Sequence, residues 1–356
     1  MEGFVLRGKL QSDPLSQPQV KFGVNLNNRE PLLAPSYSLA DLLDLSQTVE
    51  GAGFDSVWVG DSLFSKPRHE PLMLLAGISQ RTSHVKLGTA CLVTATRNPL
   101  YLALEWATLD HMSEGRTILG ACMGNPEVGV EREYAALGLD FKHRARIFEE
   151  GLDVLRQLWT EGEVTFHGQH FDYEQISFHS GTEMAPLQPL QSPPPIWVVS
   201  NPRLMVGVKE EERVSRVISR AARRIAKYGD GWMTCCRALH PEEFREQLAQ
   251  IADAVREAGH DMADYAMAYQ VTMNIADSRE AAQRSMSEYI GQYYPELSKA
   301  MDLSEWGPVG TPDDITEWMQ TFAEAGVNYF ICRFGALDQF GQVERFAREV
   351  LPAFGR

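Results

Sequence analysis

The chain lacks most of the features that would assign a function at once. Its five cysteines, Cys91, Cys122, Cys235, Cys236 and Cys332, are odd in number and scattered over 356 residues. That excludes a disulfide framework. No C-x-x-C pair occurs, and adjacent cysteines on an extended strand face opposite ways. No zinc pattern is left, and no metal is expected. There is no run of eighteen apolar residues, so no membrane span is expected. The first residues lack the basic, apolar, small-residue order of a secretion signal, which points to the cytoplasm. Positive charge is scarce as well: 33 Lys and Arg face 48 Asp and Glu, for a net charge of -15. No basic stripe exists to track a duplex, so nucleic acid is not an expected partner. The one basic cluster, Arg213–Lys227, follows Glu210, Glu211 and Glu212. It reads either as the solvated face of a helix or as help in holding an anionic cofactor tail. The glycines of Ile118–Gly129, "ILGACMGNPEVG", do not follow G-x-G-x-x-G, and no acidic residue closes a following strand at the expected offset. A Rossmann loop is therefore a poor reading.

What the sequence does have is rhythm. Residues 1–19 are polar with Pro14 and Pro18, and read as a flexible arm. From residue 20, short β-rich runs alternate with longer amphipathic ones. Strands are expected at Val20–Leu26, Asp55–Gly60, Val85–Val93, Arg116–Gly124 and Pro195–Ser200. Three more follow within "GDGWMTC", "YAMAYQVTMNIA" and Val327–Phe334. Helices between them start at N-caps such as Ser38 and Thr311, the latter followed by Pro312 at the first helical position. The strands are apolar on both sides of the pleat, as in a parallel sheet buried on both faces. Eight strand–helix units predict a single α/β domain over 20–356, a (β/α)8 TIM barrel, with an open doubly wound sheet as the alternative. Residues of about 162–195, "VTFHGQHFDY" and a Pro-rich passage, break the rhythm. They read as a hairpin and loop inserted between strands four and five. His167, His170 and His179 fall in that insert as loop residues.

In such a barrel the active site lies at the C-terminal strand ends. That rule selects Asn25, Asp61 with Ser62, Cys91 to Thr94, Cys122 to Asn125, Ser200 with Asn201, and Arg333. Each has a plainer reading. Asp61 is equally a loop carboxylate. Cys122 is more often a small buried hydrophobe than a reactive thiol. Ser200–Asn201 before a helix reads as an N-cap, which would also present free N–H groups to a phosphate. Arg333 reads as a salt-bridge partner before it reads as a site residue.

Taken together, "AGFDSVWVGD" (Ala52–Asp61), "LGTACLVTATRNP" (Leu87–Pro99), "ATLDHMSEGRTILGACMGN" (Ala107–Asn125), "ALGLDFKHRARIFEEGLDVLRQLW" (Ala136–Trp159), "VTFHGQHFDY", "PPPIWVVS", "AKYGDGWM" (Ala226–Met233) and "VGTPDDITEWMQTFAEAGVNYFICRF" (Val309–Phe334) resemble the bacterial luciferase-like flavin-dependent monooxygenases in that order. The resemblance spans nearly the whole chain after residue 20. It implies a barrel whose strand ends hold reduced FMN delivered by a separate NAD(P)H:flavin reductase. There O2 forms a peroxyflavin that oxygenates a small organic substrate. A second branch uses a deazaflavin coenzyme for hydride transfer, and some relatives bind flavin without catalysis. The family is usually dimeric, with the helices after strands two and three in contact. The resemblance also implies a non-proline cis peptide at Ala90–Cys91, beneath the flavin ring.

Residue by residue, the resemblance makes Asn25, Asp61, Ala90, Cys91, Cys122, Asn125, Ser200 and Asn201 cofactor-binding, with Asp61, Cys122 and Asn125 at the chemistry. Three departures bear on mechanism. Asp61–Ser62 stands where a histidine is common. Met123 replaces a phosphate-binding arginine next to the cysteine. Asn125 stands where several deazaflavin enzymes carry a catalytic glutamate, and an amide cannot exchange a proton as an acid does. These losses favour FMN over the deazaflavin.

Overall fold

The computed structural model describes residues 19–33, 37–179, 187–201, 211–235, 239–294 and 306–356, with side chains omitted over 211–218. The expected arm therefore lies almost wholly outside the described residues. Twelve strands are described, in chain order: β1 (Lys21–Leu26), β2 (Ser56–Val59), β3 (Lys86–Thr89), β4 (Leu92–Val93), β5 (Thr117–Cys122), β6 (Glu163–His167), β7 (Asp172–Ser177), β8 (Ile196–Val199), β9 (Gly231–Thr234), β10 (Ala266–Ile275), β11 (Val309–Gly310) and β12 (Tyr329–Phe334). Eight of them close a parallel barrel in the order β1, β2, β3, β5, β8, β9, β10, β12, and β12 pairs back onto β1. The (β/α)8 reading thus holds. The antiparallel pair β6–β7 is the hairpin expected between barrel strands four and five. Buried Glu150 secures its turn, accepting the N–H groups of Gln169, His170 and Phe171.

Helix starts follow the expected chemistry. Ser38 and Thr311 each close a capping box on the helices Leu39–Gly51 and Pro312–Glu324. Two departures matter for the site. The third strand, expected to run unbroken over Val85–Val93, is split into β3 and β4 around Ala90–Cys91, whose peptide is cis as the resemblance implied. A helix, Val128–Ala136, follows β5 where no element was expected.

Strand alternation sorts the side chains. Phe22, Val24, Val57 and Val59 join the apolar layer that also takes in the helices, while Trp58, Trp197, Tyr329, Ile118, Met233 and Ile331 pack together as a separate buried cluster. The rings of Trp58 and Trp197 lie 4.9 Å apart, and Tyr329 meets Trp197 edge-on at 4.9 Å. Ser56 Oγ accepts hydrogen bonds from Trp58 Nε1 at 2.6 Å and Tyr329 OH at 2.7 Å. This plug fits because two neighbouring strands carry no side chain beside it. A Cβ on Gly88 would come 2.1 Å from the Trp58 ring, and one on Gly23 would come 2.5 Å from Trp58 Nε1.

Gly88→Ala is therefore expected to destabilise the fold by about 1–3 kcal/mol, the usual range for an overfilled core. Urea denaturation measures it. A wild-type midpoint would mean that the Trp58 ring can move aside at no cost.

Candidate active site

Above the plug, the C-terminal strand ends open into a cavity of about 250 Å³. Of the residues selected from sequence, Asp61, Ala90, Cys91, Cys122, Asn125, Ser200, Asn201 and Arg333 line it. Asn25 is not among them. It is buried on β1 beside Trp58 in the strand register, and its Oδ1 has no hydrogen-bond partner.

The wall below the mouth is built around the cis peptide. Just beneath it β3 and β5 approach so closely that a Cβ on Gly120 would lie 1.9 Å from the Thr89 carbonyl oxygen. Thr89 Oγ1 bridges both backbone polar groups of Gly120, each at 3.0 Å. The glycine of "ILGACMGNP" thus serves the neighbouring strand. Asp61 braces the same bulge from the other side. Its N–H donates to the Cys91 carbonyl, and its carboxylate accepts the Val93 N–H at 3.0 Å and pairs with Arg97 at 3.1 Å. Cys91 Sγ lies 2.9 Å from Cys122 Sγ. That bond to Cys122, with burial, raises the Cys91 thiol well above its ordinary pKa and keeps it protonated.

Asn201 clasps two strand ends. Its Oδ1 accepts from Cys235 N–H at 2.7 Å and Thr234 Oγ1 at 3.1 Å, and its Nδ2 reaches Cys235 Sγ at 3.0 Å. The helix that Ser200–Asn201 was expected to cap would start within 202–210, which lies outside the described residues.

Several lining residues were not selected from sequence. Buried Glu133, on the unexpected helix Val128–Ala136, accepts the N–H groups of Phe64 and Ser65 and the Ser62 hydroxyl, fixing the loop after β2. Beyond it stands a cationic and aromatic wall. Arg68 donates to Tyr293 OH at 2.6 Å, and Arg333 to Tyr294 OH at 3.1 Å. Lys66 lies over the Tyr294 ring and pairs with Glu127. Burial raises the pKa of the Tyr294 phenol, but the charges of Arg333 and Arg68, the Arg333 hydrogen bond and Lys66 outweigh it and bring the value down to about 8. No linear signal marks this wall, since Arg68, Tyr294 and Arg333 come from three distant segments.

The pocket stands at the strand ends of a (β/α)8 barrel, where barrel enzymes carry their active sites, with small residues at its floor and a cis peptide in its wall. The sequence model of the luciferase-like monooxygenases matches residues 20–209 and 217–329, and the chain belongs to that family. It is similar to a protein of Amycolatopsis mediterranei (strain U-32) named "F420-dependent glucose-6-phosphate dehydrogenase", at 24% identity over 90% of this chain and 96% of that one. Its fold matches the monooxygenase RslO1 from Streptomyces bottropensis at TM-score 0.76 and 20% identity, over 94% of this chain and 99% of that one. It also matches the oxygenating constituent of 3,6-diketocamphane monooxygenase of Pseudomonas putida, solved with FMN, at TM-score 0.72 and 18% identity, over 94% and 98%. Among the described residues, no helix is long and apolar enough to cross a membrane.

Ultraviolet titration is expected to show one phenol ionising with a midpoint near 8, its phenolate absorbance growing as pH rises. Tyr294→Phe should remove that phase. Persistence of the phase in the variant would assign it to another group.

Proposed function

We propose that the protein is an FMN-dependent monooxygenase acting on a small organic substrate. The observation that carries this reading is the occupation of the pocket's carboxylates. Asp61 is held by Arg97 and the Val93 N–H, Glu133 by three donors, and Glu127 by Lys66. The groups beside the cis peptide are thiols and an amide: Cys91, Cys122 and Asn125. Such a wall excludes water and orients, but it offers little for taking a proton from an alcohol during hydride transfer. It suits oxygen chemistry, in which the cofactor carries the hard step.

The residues present fit a flavin. Gly60, Ala90, Cys91 and Cys122 leave the floor free of bulky side chains where a flat ring would lie. Ser200 and Asn201 would meet the phosphate, and Asp61 keeps the Ala90–Val93 segment in place under the ring. Bound reduced FMN would supply the electrons for O2 activation. Asn125 would orient the substrate, and Met123 and Val130 would keep water away. The reading includes a separate NAD(P)H:flavin reductase, a cytoplasmic setting and a homodimer. Exposed Met73, Tyr101, Leu104 and Met112, on the helices after β2 and β4, support the dimer.

One observation favours a second reading, deazaflavin-linked hydride transfer: the relative from Amycolatopsis mediterranei carries a deazaflavin dehydrogenase name. In that reading the Tyr294 phenol is the available proton acceptor. Titrating the protein with reduced FMN and with a reduced deazaflavin, while following O2 uptake, separates the two. FMN is expected to bind at least about tenfold more tightly, with O2 consumed. Tighter deazaflavin binding without O2 uptake would establish the second reading. Asn125→Ala is expected to lower kcat/KM about tenfold with FMN affinity kept.

A further inference from the structure

Buried arginines in this protein are of two kinds. Arg116, at the far end of the barrel, spends all five donors. Nε meets Ser113 O, Nη1 meets Thr82 Oγ1 and Val85 O, and Nη2 meets Ser79 O and Thr82 O, all between 2.7 and 3.1 Å. That guanidinium is finished as a structural clamp. Arg333, on the pocket wall, is only 8% exposed; among the described residues it makes one hydrogen bond, to the Tyr294 hydroxyl, and its buried Nε has no partner. Among the same residues Arg68 likewise donates only to a phenol, that of Tyr293. Among the described residues neither arginine has a carboxylate within ion-pair distance, although the chain carries 48 Asp and Glu.

The two cations are also close to each other. Both guanidiniums sit by the ring of Tyr293, at 5.7 Å for Arg68 and 5.4 Å for Arg333. Arg29 approaches the same ring at 5.1 Å. Buried Glu30, which feels the charge of Arg333, has its pKa pushed up to about 8 by burial, which favours its neutral form. The aromatic rings attract the cations only modestly. Unpaired buried charge is costly, and a buried arginine normally has a counter-ion or a full set of acceptors. A fork with free donors facing a cavity matches a carboxylate or phosphate in geometry as well as charge.

We propose that Arg333 and Arg68 form an anion subsite that grips an oxyanion group on the substrate. The proposal rests on the reading that the Ser200–Asn201 turn takes the cofactor phosphate. β12, which carries Arg333, lies three steps from β8 and four from β5 around the eight-stranded ring. The cofactor's own phosphate is thus assigned to the far side of the mouth. The substrate class is an organic acid or a phosphate ester, bound with its reactive end towards Cys122 and Asn125 and its anion towards Arg333. An uncharged hydrocarbon or ketone leaves both cations unpaired.

The test is calorimetric titration of the flavin-loaded protein with inorganic phosphate and, separately, with acetate. Wild-type protein is expected to bind at least one of them, and the preferred ion indicates whether the substrate is a phosphate ester or a carboxylic acid. Arg333→Gln and Arg68→Gln should each weaken that binding tenfold or more, with flavin affinity within twofold of wild type. Arg68, half-buried in a loop, keeps the test usable if Arg333→Gln does not fold. Binding of neither ion, or binding unchanged by the substitutions, would overturn the subsite. A tenfold loss of FMN affinity in the same variants would instead give these arginines to the cofactor, and would overturn it too. If the protein binds a deazaflavin and not FMN, the monooxygenase reading fails while the same titration still decides the subsite.

Discussion

The architecture depends on one steric match: the indole of Trp58 occupies the volume that Gly88 and Gly23 leave empty. A barrel of eight strands has an interior just wide enough for side chains to fill. Here three aromatic rings fill much of it, tied together through the Ser56 hydroxyl. The plug closes the barrel from below and turns its upper end into a shallow floor. The strand ends above this packed, hydrogen-bonded floor carry irregular backbone. The split of β3 and β4, the close approach at Gly120 and the bracing carboxylate of Asp61 all sit directly on that foundation.

The pocket is electrostatically divided. One side, from Cys91 through Cys122 to Asn201 and Cys235, is made of neutral groups that bond to one another. The other, from Arg68 to Arg333, is cationic in a chain of strongly negative net charge. Burial strengthens the contrast, since it helps hold Cys91 protonated and weakens the screening of the Arg333 charge. The two halves suit different tasks. A neutral, low-water wall protects reactive chemistry, whereas fixed cations orient and select.

Much of the barrel was legible because its signal is local and repeated. Short, continuously apolar β-rich runs, caps such as Ser38 and Thr311, and glycine stops specify elements through contacts a few residues apart. The rule of strand ends then found six cavity-lining cofactor candidates, Asp61, Cys91, Cys122, Asn125, Ser200 and Asn201, and the resemblance added Ala90. It over-reached at Asn25, one step too deep, because sequence does not show where the floor lies. It gave no sign that Asn201 holds Thr234 and Cys235, since those partners are more than thirty residues away.

By itself, then, the sequence determined the eight-unit rhythm, the inserted hairpin, the family, and the position of Asp61, Cys122 and Asn125 near the mouth. These follow from periodicity and from short motifs whose residues are neighbours in the chain. Only the tertiary structure decided what those residues are free to do. It committed Asp61 to Arg97 and Val93, paired Cys91 with Cys122, and brought Glu133 under the loop after β2. It also gathered Arg68, Tyr294 and Arg333 into one wall, where among the described residues neither arginine has a carboxylate within ion-pair distance. Charge compensation depends on distances between segments hundreds of residues apart, and no local pattern in a sequence encodes it.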